Sequence, residues 1–189
     1  MEATLVRISK FISLVLRHNP AKIGLTLDEN GWASVDELLS KSAKAGQHFD
    51  RPTLEQVVAQ NDKKRFAFSV DGQKIRASQG HSIEVDLALQ PVSPPDVLYH
   101  GTTIRFHQSI LEKGLIPGSR NHVHLSADVQ TASIVGKRHG KVIIFTVKTR
   151  KMEQDGYLFY LSENKVWLTA HVPIQYLKIY SDSDPAVGG

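Results

Sequence analysis

Chemistry in this 189-residue chain concentrates in a few short stretches. In LRHNP, residues 16–20, Arg17 and His18 stand side by side where a hydrophobic run breaks off at a proline. A planar guanidinium forks onto an oxyanion, and an imidazole beside it can move a proton near neutral pH. The pair suits an anion site, and it also suits a helix C-terminus, where cations meet free carbonyls. DKKRF at 62–66 adds Arg65 at the start of a strand, either a further anion contact or part of a solvated charge run. YHGT at 99–102 reads as a strand end opening into a glycine turn. There Gly101 would let a ligand approach the backbone, with His100 and Thr102 beside it. RNHVHLS at 120–126 supplies Arg120, His122, His124 and Ser126. RASQGHS at 76–82 packs Arg76, Gln79 and His81 into a polar loop.

His122 and His124 are two apart, so on a strand they share one face and invite a zinc reading. Further ligands are needed, however, and the chain has no cysteine and no HExxH pattern. No metal is therefore expected. The missing cysteines also exclude disulfides and a thiol nucleophile, and they fit a cytoplasmic protein. The first twenty residues are interrupted by Arg7, Ser9 and Lys10 and do not read as a signal peptide. No stretch approaches the roughly 20 apolar residues of a membrane span. The net charge of +4 falls mostly after residue 90, which permits a phosphate-rich partner without requiring one.

The elements that must position these residues follow from periodicity. Leu5, Ile8, Ile12 and Val15 have helical spacing, widened by Phe11 and Leu16, and Pro20 and Gly24 end the helix. SVDEL at 34–38 has Ser34 as a cap with Glu37 three residues on, and RPTLEQVV at 51–58 repeats the device with Thr53 and Gln56. The period then becomes two: Phe66, Phe68 and Val70 alternate, Asp71-Gly72 turns, and Ile75 and Ala77 return. Three helices and a hairpin suggest a winged-helix-like lobe over residues 1–90. QPVSPPDV, with three prolines, suggests a linker at 91–97. From 98 to 182 the expectation is mostly strands, with helices over 104–113 and 128–140, and a tail at 183–189.

In order along the chain stand ISLVLRHNP, DKKRF, IRASQGHS, LYHGT, HVHLSAD and VWLTA. Together they resemble the NAD-dependent RNA 2′-phosphotransferases of the KptA family, from about residue 5 to 180. The resemblance implies an α+β fold with a winged-helix lobe followed by an ADP-ribosyltransferase-like lobe. It implies removal of an internal 2′-phosphate from a tRNA-like RNA, with NAD as co-substrate. The RNA phosphate would attack the nicotinamide ribose, giving an ADP-ribosylated 2′-phosphate. Transesterification would then release 2′-hydroxyl RNA and ADP-ribose 1″,2″-cyclic phosphate.

The resemblance carries catalytic roles onto Arg17, His18, Arg65 and Arg120. Arg17 and Arg65 would clamp the phosphate, His18 would orient it and handle a proton, and Arg120 would stabilise the phosphoryl charge. His100, Gly101, Thr102, His124 and Ser126 would hold NAD, and Arg76, Gln79 and His81 would touch the RNA substrate. No GxGxxG follows a strand, so the NAD site would not be of Rossmann type. The family does without a catalytic glutamate, so Glu163 receives no role. SENKVW departs from the family's pattern, with Lys165 where a glycine precedes Val-Trp. A monomer without obligate protein partners is expected.

Two rival readings remain at this level. One is an ADP-ribosyltransferase that caps terminal phosphates of RNA or DNA. The other is a winged-helix regulator without catalysis, which the near-neutral first 90 residues disfavour.

Overall fold

The structure, a computed structural model, describes residues 2–61, 63–83 and 85–183. Asp62 of the DKKRF stretch and most of the expected tail lie outside the described residues. The chain forms an α+β fold that divides into two compact units. The first comprises Met1–Ala88 with Ser119–Asn121, and the second Leu89–Gly118 with His122–Gly189. Arg120 thus belongs with the first unit, although the chain leads into it from the second.

In the first unit, α1 (Ala3–Arg17) buries the stripe Leu5, Ile8, Ile12, Val15 and Leu16. Removing one such side chain from water contributes about 1.5–3 kcal/mol. A 3₁₀ turn over Pro20–Ile23 follows, capped by the Asn19 side chain, which accepts the Lys22 N–H. β1 (Ala33–Ser34) leads into α2 (Val35–Lys44), whose N-terminus Ser34 caps by accepting the Glu37 N–H. At α3 (Arg51–Gln60) the expected Thr53 cap is corrected. Asp50 is the cap and its carboxylate accepts the Thr53 N–H at 2.9 Å. Pro52 has no N–H to satisfy and therefore sits easily in that first turn. β2 (Phe66–Phe68) and β3 (Lys74–Ala77) form the hairpin, and β1 adds to it in the order β1-β3-β2, all antiparallel. Leu38, Leu54, Val57, Phe66 and Ile75 close this core against α1.

The second unit holds two three-stranded antiparallel sheets. One joins β4 (Leu98–Thr103), β6 (Val142–Val147) and β9 (Leu177–Ile179) in the order β4-β6-β9. The other joins β5 (Val123–Leu125), β8 (Trp167–Thr169) and β7 (Tyr160–Leu161) in the order β5-β8-β7. A bridge between Tyr99 and Ser126 connects them. Among the helices, α4 (His107–Lys113) ends at Gly114 and α5 (Val129–Gly136) is capped by Asp128. Two expectations need correction here. YHGT is not a turn, since β4 runs through it to Thr103. The stretch after β6 is not all strand, because α6 (Thr149–Gln154) follows and buries Met152. No helix among the described residues is long and apolar enough to cross a membrane.

Candidate active site

Arg17 is the last residue of α1, and His18 is its C-cap. A helix end leaves carbonyls without intrahelical partners. Here the Arg17 carbonyl accepts the N–H of Ser82 at 3.0 Å, which docks the loop 78–83 against the end of α1. The same serine holds the histidine: His18 Nδ1 lies 2.8 Å from Ser82 Oγ. Gly80, with φ of +87°, lies flat against the Arg17 guanidinium. A Cβ there would stand 3.3 Å from Arg17 Cζ, tighter than ordinary contact. Arg17 itself is only 9% exposed. The helix-end reading of this pair is thus met by loop 78–83, whose Ser82 N–H takes up the Arg17 carbonyl.

Arg65 precedes β2 and is half-buried, and its carbonyl accepts the Ser78 N–H at 2.8 Å. Arg120 reaches this unit through the segment Ser119–Asn121. Asn121 fastens that segment: its N–H donates to the His81 carbonyl at 3.2 Å and its Nδ2 to the Ile83 carbonyl at 3.1 Å.

These cations are close enough to act on one another. His18 is held below its ordinary value first by loss of solvent, then by repulsion from Arg17 and Arg120. Arg120 is lowered first by loss of solvent and then by Arg65. His81, 1% exposed, is pushed down to about 4 by burial, with further repulsion from Arg17, His18 and Arg76. The sequence-expected set Arg17, His18, Arg65 and Arg120 is thus one electrostatic cluster. Within it, positive neighbours disfavour the charged forms of His18 and Arg120.

Arg76, Gln79 and His81 form the buried backing of this cluster. Arg76 lies over the Trp32 ring, 4.4 Å from its centroid, a contact that the sequence did not reveal. His81 is the most deeply buried of the three, at 1% exposure.

The second set of expected residues lies on β4 and at β5. His100 Nδ1 is 2.9 Å from the His124 carbonyl. Burial lowers the His100 pKa, and this hydrogen bond partly opposes that. His122 packs its ring 5.9 Å from Tyr160, and burial lowers its pKa too. Among the described residues no group of three metal-ligating side chains could hold a metal ion.

The close approach that Gly101 permits is to a helix of its own unit. A Cβ at Gly101 would stand 1.7 Å from the Ala132 carbonyl oxygen of α5. Its backbone is a separate matter. Tyr99 and Ser126 exchange N–H···O bonds of 2.9 and 2.7 Å on the β5 side of β4. In an antiparallel strand these groups alternate sides, so Gly101 directs its N–H and C=O to that same edge, away from β6. The edge beyond the bridge is where the chain after β5 turns away into α5.

The sequence pattern described as RNA 2'-phosphotransferase, Tpt1 / KptA family, matches residues 3–171. This chain belongs to that family. A probable RNA 2'-phosphotransferase from Acaryochloris marina is 54% identical over 176 residues, spanning 93% of this chain and 97% of that protein. Another from Hahella chejuensis is 54% identical over 183 residues, 97% of this chain and 98% of its own length. A third, from Flavobacterium johnsoniae, is 56% identical over 174 residues, 92% and 96% of the two chains.

The departure at Lys165 now has a physical account. Lys165 has φ of +65°, in the left-handed region where glycine is at ease. The turn is held by Lys165 N–H donating to the Ser162 carbonyl at 3.0 Å and by Val166 N–H donating to Ser162 Oγ at 3.1 Å. Lysine thus occupies a backbone conformation suited to glycine in the turn that leads into β8.

Proposed function

We propose that this protein removes an internal 2′-phosphate from RNA, tRNA-like in form, and transfers it to NAD. The observation that carries the reading is the cluster Arg17–His18–Arg65–Arg120, in which a buried guanidinium, two more exposed ones and an imidazole repel one another's charged forms within one compact unit. A 2′-phosphate monoester is a dianion, and its arrival would relieve that repulsion while its own desolvation is offset. NAD as co-substrate would supply first an electrophilic ribose carbon and then the hydroxyl that takes up the phosphate.

Arg17 and Arg65 hold the phosphate and aim one oxygen as nucleophile. Arg120 stabilises the charge on the phosphoryl group as it is passed on. Its repulsion by Arg65 falls away once the dianion lies between them. His18 begins neutral at neutral pH, because desolvation and two arginines disfavour the imidazolium. With Nδ1 engaged by Ser82 Oγ at 2.8 Å, Nε2 would accept the proton of the attacking hydroxyl and return it to the departing RNA 2′-oxygen.

The β4 edge fits the nicotinamide end of the co-substrate. A carboxamide offers an NH₂ group as donor and a carbonyl oxygen as acceptor, and one N–H and that oxygen would match the C=O and N–H that Gly101 directs to one edge. His100 and Thr102 on β4, His124 on β5 and Ser126 just after it flank that position and would hold the ribose and pyrophosphate. The first unit reads as a winged-helix lobe, from three helices beside a three-stranded hairpin sheet. The second reads as an ADP-ribosyltransferase-like lobe, from its two small antiparallel sheets. A monomeric cytoplasmic enzyme without a metal requirement completes the proposal.

The test is incubation with NAD and an oligonucleotide bearing one internal 2′-phosphate, in chelator, with both products weighed by mass spectrometry. The reading requires 2′-hydroxyl RNA and ADP-ribose cyclic phosphate. It is overturned if the RNA phosphate is retained, or if only a terminal phosphate becomes ADP-ribosylated.

A further inference from the structure

Arg65 sits in a loop, and loops do not by themselves hold a guanidinium to the tolerance that a phosphate clamp needs. The structure contains an unusually complete brace for this one. Asn61, only 5% exposed, ends α3 and turns its side chain inward. Its Oδ1 accepts the N–H of Lys63 at 3.2 Å and, more weakly, that of Arg65 at 3.4 Å. Its backbone carbonyl accepts the N–H of Lys64 at 2.9 Å. Its Nδ2 donates to Ser9 Oγ at 3.2 Å, and Ser9 is itself 5% exposed on α1, the helix that ends in Arg17.

A second brace meets the loop from the other side. Ser78 Oγ donates to the Lys64 carbonyl at 3.0 Å, and the Ser78 N–H to the Arg65 carbonyl at 2.8 Å. Between the braces Lys64 has φ of +46°, the left-handed region that a lysine enters only when its surroundings require it. Strain immediately before Arg65, held by hydrogen bonds on both sides, sets the direction in which that side chain leaves the backbone.

We propose that Asn61 is a positioning residue for Arg65. It ties the Arg65 loop to the helix bearing Arg17, so that the two guanidiniums meet one phosphate at a fixed separation. Nothing in the chemistry requires Asn61 to touch the RNA, and its burial keeps it away. This inference rests on the reading of Arg65 as a phosphate ligand given above.

The experiment measures the dissociation constants of the whole protein for two oligonucleotides that differ only in carrying a 2′-phosphate or a 2′-hydroxyl at one position. The ratio of the two isolates phosphate recognition from general RNA binding and from loss of folded protein. Asn61→Ala is expected to lower that ratio about tenfold, less than the roughly hundredfold that a full 1 Å misplacement can cost. In an Arg65→Ala background the same change is expected to lower it by less than about twofold, because a positioning residue acts only through its partner. Equal losses in both backgrounds, or an unchanged ratio in Asn61→Ala, overturn the proposal. Should Asn61→Ala fail to fold, Ser9→Ala cuts only the tie to α1. A drop in the ratio that vanishes without Arg65 then supports the inference, and a wild-type ratio overturns it. If Arg65→Ala alone leaves the ratio intact, the phosphate-ligand reading of Arg65 is what fails, and this inference falls with it.

Discussion

Lowering the pH should destabilise this protein through one residue whose contribution can be calculated. His81 is buried, and neither ring nitrogen has a hydrogen-bond partner among the described residues. Burial, Arg17, His18 and Arg76 push its pKa from an ordinary 6.5 down to about 4. Between those values the unfolded chain binds a proton at His81 and the folded chain does not. Each such proton favours unfolding, so stability is fully present above pH 6.5 and is lost as pH falls toward 4. The linkage relation puts the loss at about 2 kcal/mol by pH 5 and about 3 kcal/mol by pH 4, with little further change below. That is a large share of the total stability of a domain, typically about 5–15 kcal/mol. The comparison needs a variant without the imidazole, and His81→Leu replaces two unpaired nitrogens by an apolar group of similar volume. Urea unfolding followed by circular dichroism, at pH steps from 7.5 to 4, gives the stability difference between wild type and variant. Wild type should lose stability relative to the variant across that range, by about 3 kcal/mol in all. A difference that stays flat with pH would show that His81 titrates near its ordinary value, and the buried-backing picture of the cluster would be wrong.

Three further outcomes follow from the geometry. Gly101→Ala places a methyl 1.7 Å from the Ala132 oxygen and 2.5 Å from its carbonyl carbon, both backbone, so α5 must shift. The expected loss is about 3 kcal/mol in chemical unfolding, and a change within about 0.5 kcal/mol would contradict the packing. Lys165→Gly should raise stability by about 1 kcal/mol in the same assay with unchanged turnover, because glycine has no side-chain penalty at φ of +65°. Arg120→Gln removes one of the two repulsions that depress His18, so its pKa should rise. The acid limb of kcat/KM should then move to higher pH as well as the rate falling; an unmoved limb would mean that Arg120 does not act on His18.

Much of the local architecture could be read along the chain because it depends on neighbours in sequence. The α1 stripe, the Ser34 cap, the Asp71-Gly72 turn and the Asp128 start of α5 all express local periodicity or side-chain–backbone bonding. The errors had one long-range cause and two local ones. YHGT looked like a turn because Gly101 is a turn residue, but the glycine is needed where α5 crosses β4. Thr53 looked like the cap because Asp50 lay one proline turn earlier, outside the expected helix. The helix α6 was missed because the charged stretch TRKMEQ carries only one buried apolar residue, Met152, to mark its face.

The candidate site divides in the same way. The resemblance to the family singled out Arg17, His18, Arg65 and Arg120, whereas residue type alone left Arg17-His18 equally suited to a helix C-terminus and Arg65 to a solvated charge run. Neither could reveal that Ser82 holds His18, that Gly80 lies on Arg17, or that Asn61 and Ser78 brace the loop of Arg65. Those partners are separated from the residues they serve by 64, 63 and, for Ser78, 13 positions, and by 4 positions for Asn61. The sequence alone determined which side chains carry charge, where helices and strands begin, and to which family the pattern is similar. Only the tertiary structure decided which cations share a field, which imidazole is kept neutral by burial, and which glycine answers to packing. The reason is that desolvation and Coulomb repulsion depend on distance through space, and chain closure brings together groups that periodicity along the chain cannot pair.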